Sequence, residues 1–223
     1  MDMLKVLKPG LAQVLMPVGR ALARTPLTPN MLTVTGAVGM TAGALILFPA
    51  GHLFAGTMVC TGFVFTDMLD GTLARITGST GTFGAFLDST MDRIADSAVF
   101  VGIAIWLATG GHDRLLAAVA LFCLVAGGLV SYAKARAEGL GLRCDVGIAE
   151  RTERLIIGLV AIGLAGLGVP YVLSIGLWIL AVLSAVTFGQ RVYAVRRAAM
   201  SPSSAAGSAG ASGVTEASGS PVT

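Results

Sequence analysis

The sequence contains an uncharged, strongly apolar stretch of 36 residues, Leu155–Gln190. A helix that crosses a membrane needs about 20 predominantly apolar residues, so this stretch is too long for one crossing. The segment Gly166–Pro170 is rich in the turn-forming residues Gly and Pro, and it predicts a tight turn in the middle. The stretch therefore predicts two consecutive membrane helices.

Four earlier apolar segments predict helices of similar length. Met31–Phe48 and Leu115–Ala133 carry no charge. Leu53–Thr66 is apolar, and its helix is expected to continue through acidic residues to Arg75. Phe83–Ala108 is apolar but contains several charged residues. We therefore predict an all-α integral membrane fold with six transmembrane helices.

The composition agrees with a membrane protein. Hydrophobic residues make up 55% of the chain, charged residues only 12%, and there are 30 glycines. A soluble domain carries roughly 25% charged residues, and glycine is more frequent in membrane helices than in soluble ones. These values exclude a soluble globular enzyme, a disordered chain and a coiled coil. The net charge of +3 is too small to indicate nucleic acid as a partner.

The basic residues predict the orientation of the six helices. If the helices alternate in direction, nearly all loop and terminal Lys and Arg residues fall on one side, and only Arg114 falls on the other. Cytoplasmic loops carry the excess of Lys and Arg, so this side is predicted to be cytoplasmic. We therefore expect a multi-pass protein of the cell (plasma) membrane with both termini in the cytoplasm.

The chain is predicted to divide into three parts. Residues 1–25 are expected to form an interfacial amphipathic helix, since basic and apolar residues alternate over Leu4–Ala23. An ordinary flexible terminus is the alternative. Residues 26–200 form the six-helix domain. Residues 201–223 are rich in Ser, Ala and Gly, with Glu216 as the one charged residue, and are predicted to be disordered.

Five aspartates lie inside two predicted membrane helices. Asp67 and Asp70 are three residues apart, and Asp88, Asp92 and Asp96 follow in steps of four, so each set shares a helix face. Ionisable groups within membrane helices are costly and by default mark a functional site. Two carboxylates from each helix would form an oxygen cage.

An oxygen-only cage suits Mg²⁺ or Mn²⁺ rather than zinc, and four carboxylates suit two ions better than one. The alternative is a buried salt-bridge network or a proton path in which Arg75 and Arg93 pair with two of the acids. Asp96 lies outside the minimal cage and is expected to support it or to pair with an arginine.

Glycines near the aspartates have a second interpretation besides helix packing. Gly71 directly follows Asp70, and Gly84 begins the next helix, so both are expected to let a ligand approach the backbone closely. Small residues also pack helices together in membranes, and this is the better interpretation for Gly39 and Gly43.

The pattern Asp67-xx-Asp70-Gly71-xx-Ala74-Arg75, followed after eight residues by Gly84-xxx-Asp88-xxx-Asp92, is unusually long. It resembles the signature of the CDP-alcohol phosphatidyltransferases at all eight fixed positions. The resemblance covers the six-helix domain. Within this family, residues 27–30, 131–138 and 150–154 are most similar to the phosphatidylinositol phosphate synthases of actinobacteria.

The resemblance implies a homodimer that transfers the phosphatidyl group of CDP-diacylglycerol to an alcohol and releases CMP. It implies that Asp67, Asp70, Asp88 and Asp92 hold two Mg²⁺ ions, with Mn²⁺ as an alternative, and that Asp92 is also the general base. It further implies a set of residues that contact the nucleotide of CDP-diacylglycerol. These are Pro29, Asn30, Gly71, Ala74, Arg75, Gly81 and Gly84.

A second polar cluster concerns the alcohol. Ser131 and Lys134 end the fourth helix, Arg154 opens the fifth and Arg191 closes the sixth, all at the cytoplasmic side. Three cations indicate a phosphate-bearing acceptor, and the resemblance assigns these four residues to the phosphate of inositol phosphate. The alternative is the general cytoplasmic bias of basic residues, which we accept for three others. Those are Arg136, Arg196 and Arg197.

The predicted reaction is transfer of the phosphatidyl group from CDP-diacylglycerol to 1D-myo-inositol 3-phosphate within the lipid membrane. Charge alone does not distinguish this acceptor from glycerol 3-phosphate, so a phosphatidylglycerolphosphate synthase is one alternative. A channel or transporter for divalent cations, in which the aspartates bind the permeating ion, is an alternative from another class.

Overall fold

The structure, a computed structural model, describes Pro17 and residues 25–78, 81–142 and 144–200, with the backbone alone described for residues 67 and 68. The described residues contain helices and no strand, which confirms the predicted all-α class. Six long helices follow one another along the chain. They are α1 (Pro29–Leu47), α2 (Leu53–Thr77), α3 (Thr82–Thr109), α4 (Arg114–Gly139), α5 (Arg151–Gly166) and α6 (Val172–Ala199).

Local sequence signals account for the ends of several helices. The side chain of Thr28 accepts a hydrogen bond from the backbone N–H of Met31, and Pro29 occupies the first helical turn. Gly78 ends α2 in the left-handed conformation with φ of 66°, which glycine adopts without a steric penalty. The predicted turn between the last two helices is confirmed, since α5 ends at Gly166 and α6 begins at Val172.

Two predicted helix lengths can be compared in detail. The second helix does continue through the acidic segment, as the sequence predicted, and it ends at Thr77, two residues beyond the predicted end at Arg75. The fourth helix continues beyond the predicted end at Ala133 to Gly139. This added segment consists mainly of Ala, Lys, Arg and Glu, which all favour the helical state. Lys134 therefore projects from a regular helix rather than from a loop.

Four of the six helices are long and apolar enough to cross a membrane: α1, α2, α4 and α6. The helix α3 carries Asp88, Asp92, Arg93 and Asp96 along its length, and α5 contains only 16 residues. The charges of α3 and the short length of α5 explain why these two helices are not among the four. The predicted interfacial segment Leu4–Ala23 lies outside the described residues except for Pro17, and the predicted tail 201–223 lies wholly outside them.

The main helix contacts within the described residues form a ring. In spatial order the helices are α1, α2, α5, α6, α4 and α3, and α3 packs back against α1. Small residues permit the closest of these contacts. A Cβ atom at Gly39 would collide with the ring of Phe63, and one at Gly43 would lie 2.7 Å from Val59. Both glycines therefore pack α1 against α2, which confirms the interpretation made for them.

The ring order leaves space between helices that follow one another in sequence. Both α2 and α3 pack mainly on α1, so a cavity can open between the end of α2 and the beginning of α3. A second space opens where α3, α4, α5 and α6 face one another, because α3 and α5 are not principal neighbours in the ring. These two spaces are lined by the residues that the sequence predicted to bind a nucleotide and an acceptor phosphate, and by Asp70 and Asp88.

Candidate active site

The first cavity has a volume of about 230 Å³ and lies where α1 begins, α2 ends and α3 begins. All seven residues that the sequence predicted to contact a nucleotide line it, together with two of the predicted metal ligands. The lining residues are Pro29, Asn30, Thr33, Asp70, Gly71, Ala74, Arg75, Gly81, Gly84, Ala85 and Asp88. We call this space the nucleotide cavity.

Helix geometry explains why these residues meet. On α2, Asp70 and Ala74 are four residues apart, and so are Gly71 and Arg75, so both pairs share one face. On α3 the lining residues recur at the same spacing from the cap at Gly81 to Asp88.

The two glycines flanking the aspartates border open space. A Cβ atom at Gly71 would have the guanidinium of Arg75 as its nearest side-chain neighbour, at 4.0 Å. A Cβ atom at Gly84 would lie 3.5 Å from the side-chain oxygen of Asn30, an ordinary contact distance. Neither glycine is needed for helix packing, in contrast to Gly39 and Gly43. Close approach of a ligand remains the interpretation that we give to Gly71 and Gly84.

The described carboxylates have different surroundings. Asp70 is 6% exposed, and the hydroxyl of Thr33 on α1 donates a hydrogen bond to it. Asp92 is paired with Arg151, whose Nη1 atom lies 2.7 Å from the carboxylate, and Arg93 approaches the same oxygen at 3.8 Å. The same Arg151 donates two hydrogen bonds to Asp96, of 2.9 and 3.2 Å. The expectation that Asp96 pairs with an arginine is confirmed.

The donor set suits a hard divalent cation. Asp70 and Asp88 line the same cavity from different helices, and Asp92 lies one helical turn beyond Asp88. These groups offer only oxygen, which Mg²⁺ and Mn²⁺ prefer. Among the side chains that the structure describes, no three acidic, His or Cys groups are clustered closely enough to hold an ion. The side chain of Asp67 is not among them, so the four-carboxylate cage stays a prediction.

The second cavity, which we call the acceptor cavity, has a volume of about 370 Å³. It brings together all four residues that the sequence predicted to bind the acceptor phosphate. Five basic and two acidic side chains line it, so its surroundings are positive. Its lining residues are Ser89, Arg93, Val130, Ser131, Lys134, Ala135, Glu138, Glu150, Arg151, Arg154 and Arg191.

Two of its arginines are also tied to the backbone. Arg191, 4% exposed, donates to the carbonyl oxygens of Val146 and Val130 at 3.0 and 2.5 Å. Arg154, 7% exposed, donates to the carbonyl of Ala149 at 3.1 Å. Both therefore anchor the segment between α4 and α5 as well as lining the cavity, a structural role that the sequence did not reveal.

Lys134 has an acidic partner in the same segment. Its ammonium lies 2.9 Å from the carboxylate of Asp145 and 3.8 Å from that of Glu138, both of which are largely exposed. An exposed ion pair of this kind contributes only about 0–1 kcal/mol. The pair can therefore be exchanged for a pair with a bound anion at little cost.

The sequence interpretation missed three side chains of these sites: Thr33, Arg93 as a residue of the acceptor cavity, and Arg151. Nothing in the spacing of Thr33 distinguishes it from the other threonines of α1. Arg151 lies 59 positions beyond Asp92 in the chain, and the sequence interpretation counted it among the orientation-setting basic residues and within the segment 150–154 of the resemblance, without a role in the site. One signal was available: Arg151 begins a helix, where the helix dipole disfavours a positive charge, so a partner elsewhere in the fold could have been expected.

Comparisons with known proteins all indicate the same protein family. The sequence model of the CDP-alcohol phosphatidyltransferases matches residues 26–189. A phosphatidylinositol phosphate synthase of Streptomyces avermitilis is 50% identical over 192 residues, which cover 83% of this chain and 79% of that protein. The synthase of Mycobacterium tuberculosis is 48% identical over 187 residues, covering 82% of this chain and 86% of that protein.

Solved structures agree with the sequence relatives. The crystal structure of the phosphatidylinositol phosphate synthase of Mycobacterium tuberculosis with CDP-DAG bound has a TM-score of 0.80 and 47% identity, covering 85% of this chain and 96% of that one. The structure of that synthase with manganese and citrate also has a TM-score of 0.80, at 48% identity over 84% of this chain and 90% of that one. The protein described here is thus an enzyme of the CDP-alcohol phosphatidyltransferase family.

Proposed function

We propose that this enzyme transfers the phosphatidyl group of CDP-diacylglycerol to 1D-myo-inositol 3-phosphate and releases CMP. One observation carries the proposal: the predicted nucleotide residues line one cavity, and the predicted acceptor residues line another. Consecutive residues of α3, Asp88 and Ser89, line the two cavities. A donor and an acceptor bound there would meet beside α3.

The chemistry requires a base and a leaving group. A hydroxyl of the acceptor attacks the phosphorus of the phosphatidyl group, the bond from that phosphorus to the CMP oxygen breaks, and the hydroxyl proton passes to Asp92. Asp92 is suited to this role because its side chain is only 12% exposed, and because it lies one helical turn beyond Asp88 of the nucleotide cavity and next to Arg93 of the acceptor cavity on α3. General bases of this kind typically contribute 10²–10⁴-fold to the rate.

Two divalent ions, Mg²⁺ or Mn²⁺, are proposed to be held by Asp67, Asp70, Asp88 and Asp92. When bound, they would neutralise the pyrophosphate and the developing charge on CMP, which is the main requirement of phosphoryl transfer. The manganese in the related structure supports a divalent metal in the family. Asn30, Arg75 and the backbone at Gly71 are proposed to hold the cytidine diphosphate of the donor.

The acceptor is proposed to be a phosphorylated polyol because of the charge of its cavity. Five basic side chains line this cavity, and free inositol, which is uncharged, would bring no anion to them. Arg and Lys side chains bind a phosphate dianion through charge-assisted hydrogen bonds. The relatives named phosphatidylinositol phosphate synthase favour inositol phosphate over glycerol 3-phosphate.

The arrangement in the membrane is part of the proposal. We propose six membrane-crossing helices, including α3 and α5, in one domain of residues 26–200, preceded by an interfacial helix and followed by a tail without a core. The basic residues at the ends of α4 and α6 support an active site on the cytoplasmic side of the plasma membrane. A homodimer is proposed from the family resemblance.

The test is an acceptor panel in detergent with CDP-diacylglycerol held constant and CMP release measured. Inositol phosphate should be used well, and free inositol should be a poor acceptor. If glycerol 3-phosphate is the better acceptor, the basic cavity stands but the enzyme is a phosphatidylglycerolphosphate synthase. If free inositol is used as well as its phosphate, the proposed role of the basic cavity is wrong.

A further inference from the structure

The guanidinium of Arg151 bridges two carboxylates of α3. Its Nη1 atom lies 2.7 Å from the Oδ2 atom of Asp92, while its Nε and Nη2 atoms donate to the two oxygens of Asp96. Both aspartate side chains are largely buried, with exposures of 12% and 18%, and Arg151 is 26% exposed. Pairs of this geometry combine charge with directional hydrogen bonds.

The position of Arg151 is not explained by the stability of its own helix. It is the first residue of α5, where the helix dipole disfavours a positive charge. The same side chain lines the acceptor cavity and also the small cavity beside Asp92. It therefore stands between a proposed metal ligand and the proposed site of an anionic substrate.

A divalent ion and Arg151 would compete for the same oxygen of Asp92. An ion bound there repels the guanidinium and withdraws charge from the carboxylate, so the contact at Nη1 weakens. Because Nε and Nη2 still donate to Asp96, the side chain stays in position while Nη1 can turn towards an anion in the acceptor cavity. The cavity that this side chain lines is the one predicted to receive a phosphate.

We infer that Arg151 couples the metal site to the acceptor cavity, so that a divalent ion at Asp92 strengthens anion binding and an anion in the cavity strengthens metal binding. The inference rests on the proposed metal role of Asp92. Such coupling is reciprocal by thermodynamic necessity, and couplings between sites are typically about 5–150-fold. Its consequence is that Asp92, the proposed base and one of the proposed metal ligands, is released from the arginine when the acceptor arrives.

The experiment measures Mn²⁺ affinity by the electron paramagnetic resonance signal of free Mn²⁺, with purified protein in detergent. Sulfate serves as the anion probe because it is a dianion, and chloride at equal ionic strength is the reference. For the unmodified protein we expect sulfate to raise Mn²⁺ affinity about fivefold or more. Arg151→Gln should bind Mn²⁺ about fivefold more tightly in chloride, and most of the sulfate effect should disappear.

Arg93→Gln is the matched control. It removes the same charge next to the same Asp92 oxygen, but its contact is 3.8 Å and its side chain is 43% exposed. Its Mn²⁺ affinity in chloride should therefore change less than that of Arg151→Gln. A purely structural role of Arg151 would lower thermal stability without changing the ratio of Mn²⁺ affinities in sulfate and chloride.

The outcomes separate the inference from the proposed function. If Arg151→Gln binds Mn²⁺ as the unmodified protein does, with the same sulfate effect, the coupling is wrong while the metal site stands. If the unmodified protein binds no Mn²⁺, the proposed metal role is wrong and the inference falls with it. Should Arg151→Gln not fold, Arg151→Lys replaces it in the test, because one ammonium group cannot span both aspartates. If Arg151→Lys then shows the same Mn²⁺ affinity and the same sulfate effect as the unmodified protein, the coupling is wrong.

Discussion

The hydroxyl of Thr33 in α1 donates a hydrogen bond to the carboxylate of Asp70 in α2, and both side chains are buried, with exposures of 7% and 6%. The bond fixes the orientation of a carboxylate that faces the nucleotide cavity. Groups that orient metal-binding carboxylates usually contribute a factor of 10–100 to metal affinity or activity. Thr33 is therefore expected to support the metal site without touching the ion.

Thr33→Val removes this hydroxyl while keeping the shape of the side chain. We expect metal affinity or activity at limiting Mg²⁺ to fall about 10–100-fold, with partial recovery at high Mg²⁺. Thr41→Val on the same helix is the control, since the Thr41 hydroxyl makes no hydrogen bond within the described residues. Equal Mg²⁺ dependence of the two variants would contradict the role given to Thr33.

Asp92→Asn should abolish turnover while the protein still folds and inserts. The change preserves the shape of the side chain but removes the proposed base and a metal-binding charge. Loss of a general base typically lowers the rate 10²–10⁴-fold. Asp113→Asn is the control, because Asp113 caps α4 far along the chain from the site, and Asn caps a helix equally well. Retention of more than about a tenth of the activity by Asp92→Asn would remove it from the base role.

Chelation should remove activity reversibly. A site of carboxylates alone favours Mg²⁺ or Mn²⁺, so either ion should restore CMP release after treatment with a chelator, whereas zinc should support little. The measurement is a titration of each ion into the metal-free enzyme in detergent. Full activity in excess chelator would end the two-metal proposal.

Gly71→Ala and Gly84→Ala test whether these glycines admit the donor. Neither added methyl group would collide with protein atoms, so we expect stability to be unchanged or slightly higher. Each methyl group would project toward the nucleotide cavity, and overfilling a packed site costs about 1–3 kcal/mol. The KM for CDP-diacylglycerol should rise about 5–150-fold in consequence.

Gly189→Ala is the matched helical control for these two variants, since a Cβ atom there would likewise collide with nothing, having no neighbour within 4 Å, and the residue lines none of the cavities described here. It should leave the KM for CDP-diacylglycerol and the KM for inositol phosphate unchanged. If Gly71→Ala and Gly84→Ala behave like Gly189→Ala, a role in ligand approach is wrong.

The sequence predicted the parts of this protein that depend on short-range patterns. Apolar length, Gly and Pro at turns, and the spacing of aspartates within α2 and α3 are local properties, and the structure agrees with the six helices they indicate. Most residues around the nucleotide cavity were also predicted, because one motif supplies six of them, although Thr33 was missed.

The parts that the sequence did not predict depend on contacts between distant helices. No local signal tells that Arg151 of α5 reaches Asp92 and Asp96 of α3, since this depends on the ring order of the helices. The same holds for Arg191, which donates to the backbone at Val130 and Val146. The clustered positive charge predicted a phosphate site but not the second, structural role of its buried arginines.

Lys134→Ala should weaken use of the acceptor far more than binding of the donor. Lys134 lines the acceptor cavity and is about a third exposed, so its removal should leave the fold intact, unlike removal of the buried Arg154 or Arg191. A lost charge-assisted hydrogen bond to phosphate costs about 1.5–3 kcal/mol, or roughly ten- to a hundredfold in KM for inositol phosphate. Exchange of the Asp145 partner for phosphate favours the lower end of this range.

Arg136→Ala is the matched control, because Arg136 lies two residues further along α4 and is absent from the lining of the acceptor cavity. For both variants we would measure the KM for inositol phosphate at saturating CDP-diacylglycerol, and the KM for CDP-diacylglycerol at saturating inositol phosphate. Arg136→Ala should change neither value by more than about twofold, since exposed charges contribute little. If both variants raise the KM for inositol phosphate equally, the basic residues act through their general electrostatic field and not through direct contact with the phosphate. If Lys134→Ala raises only the KM for the donor, the acceptor phosphate binds elsewhere.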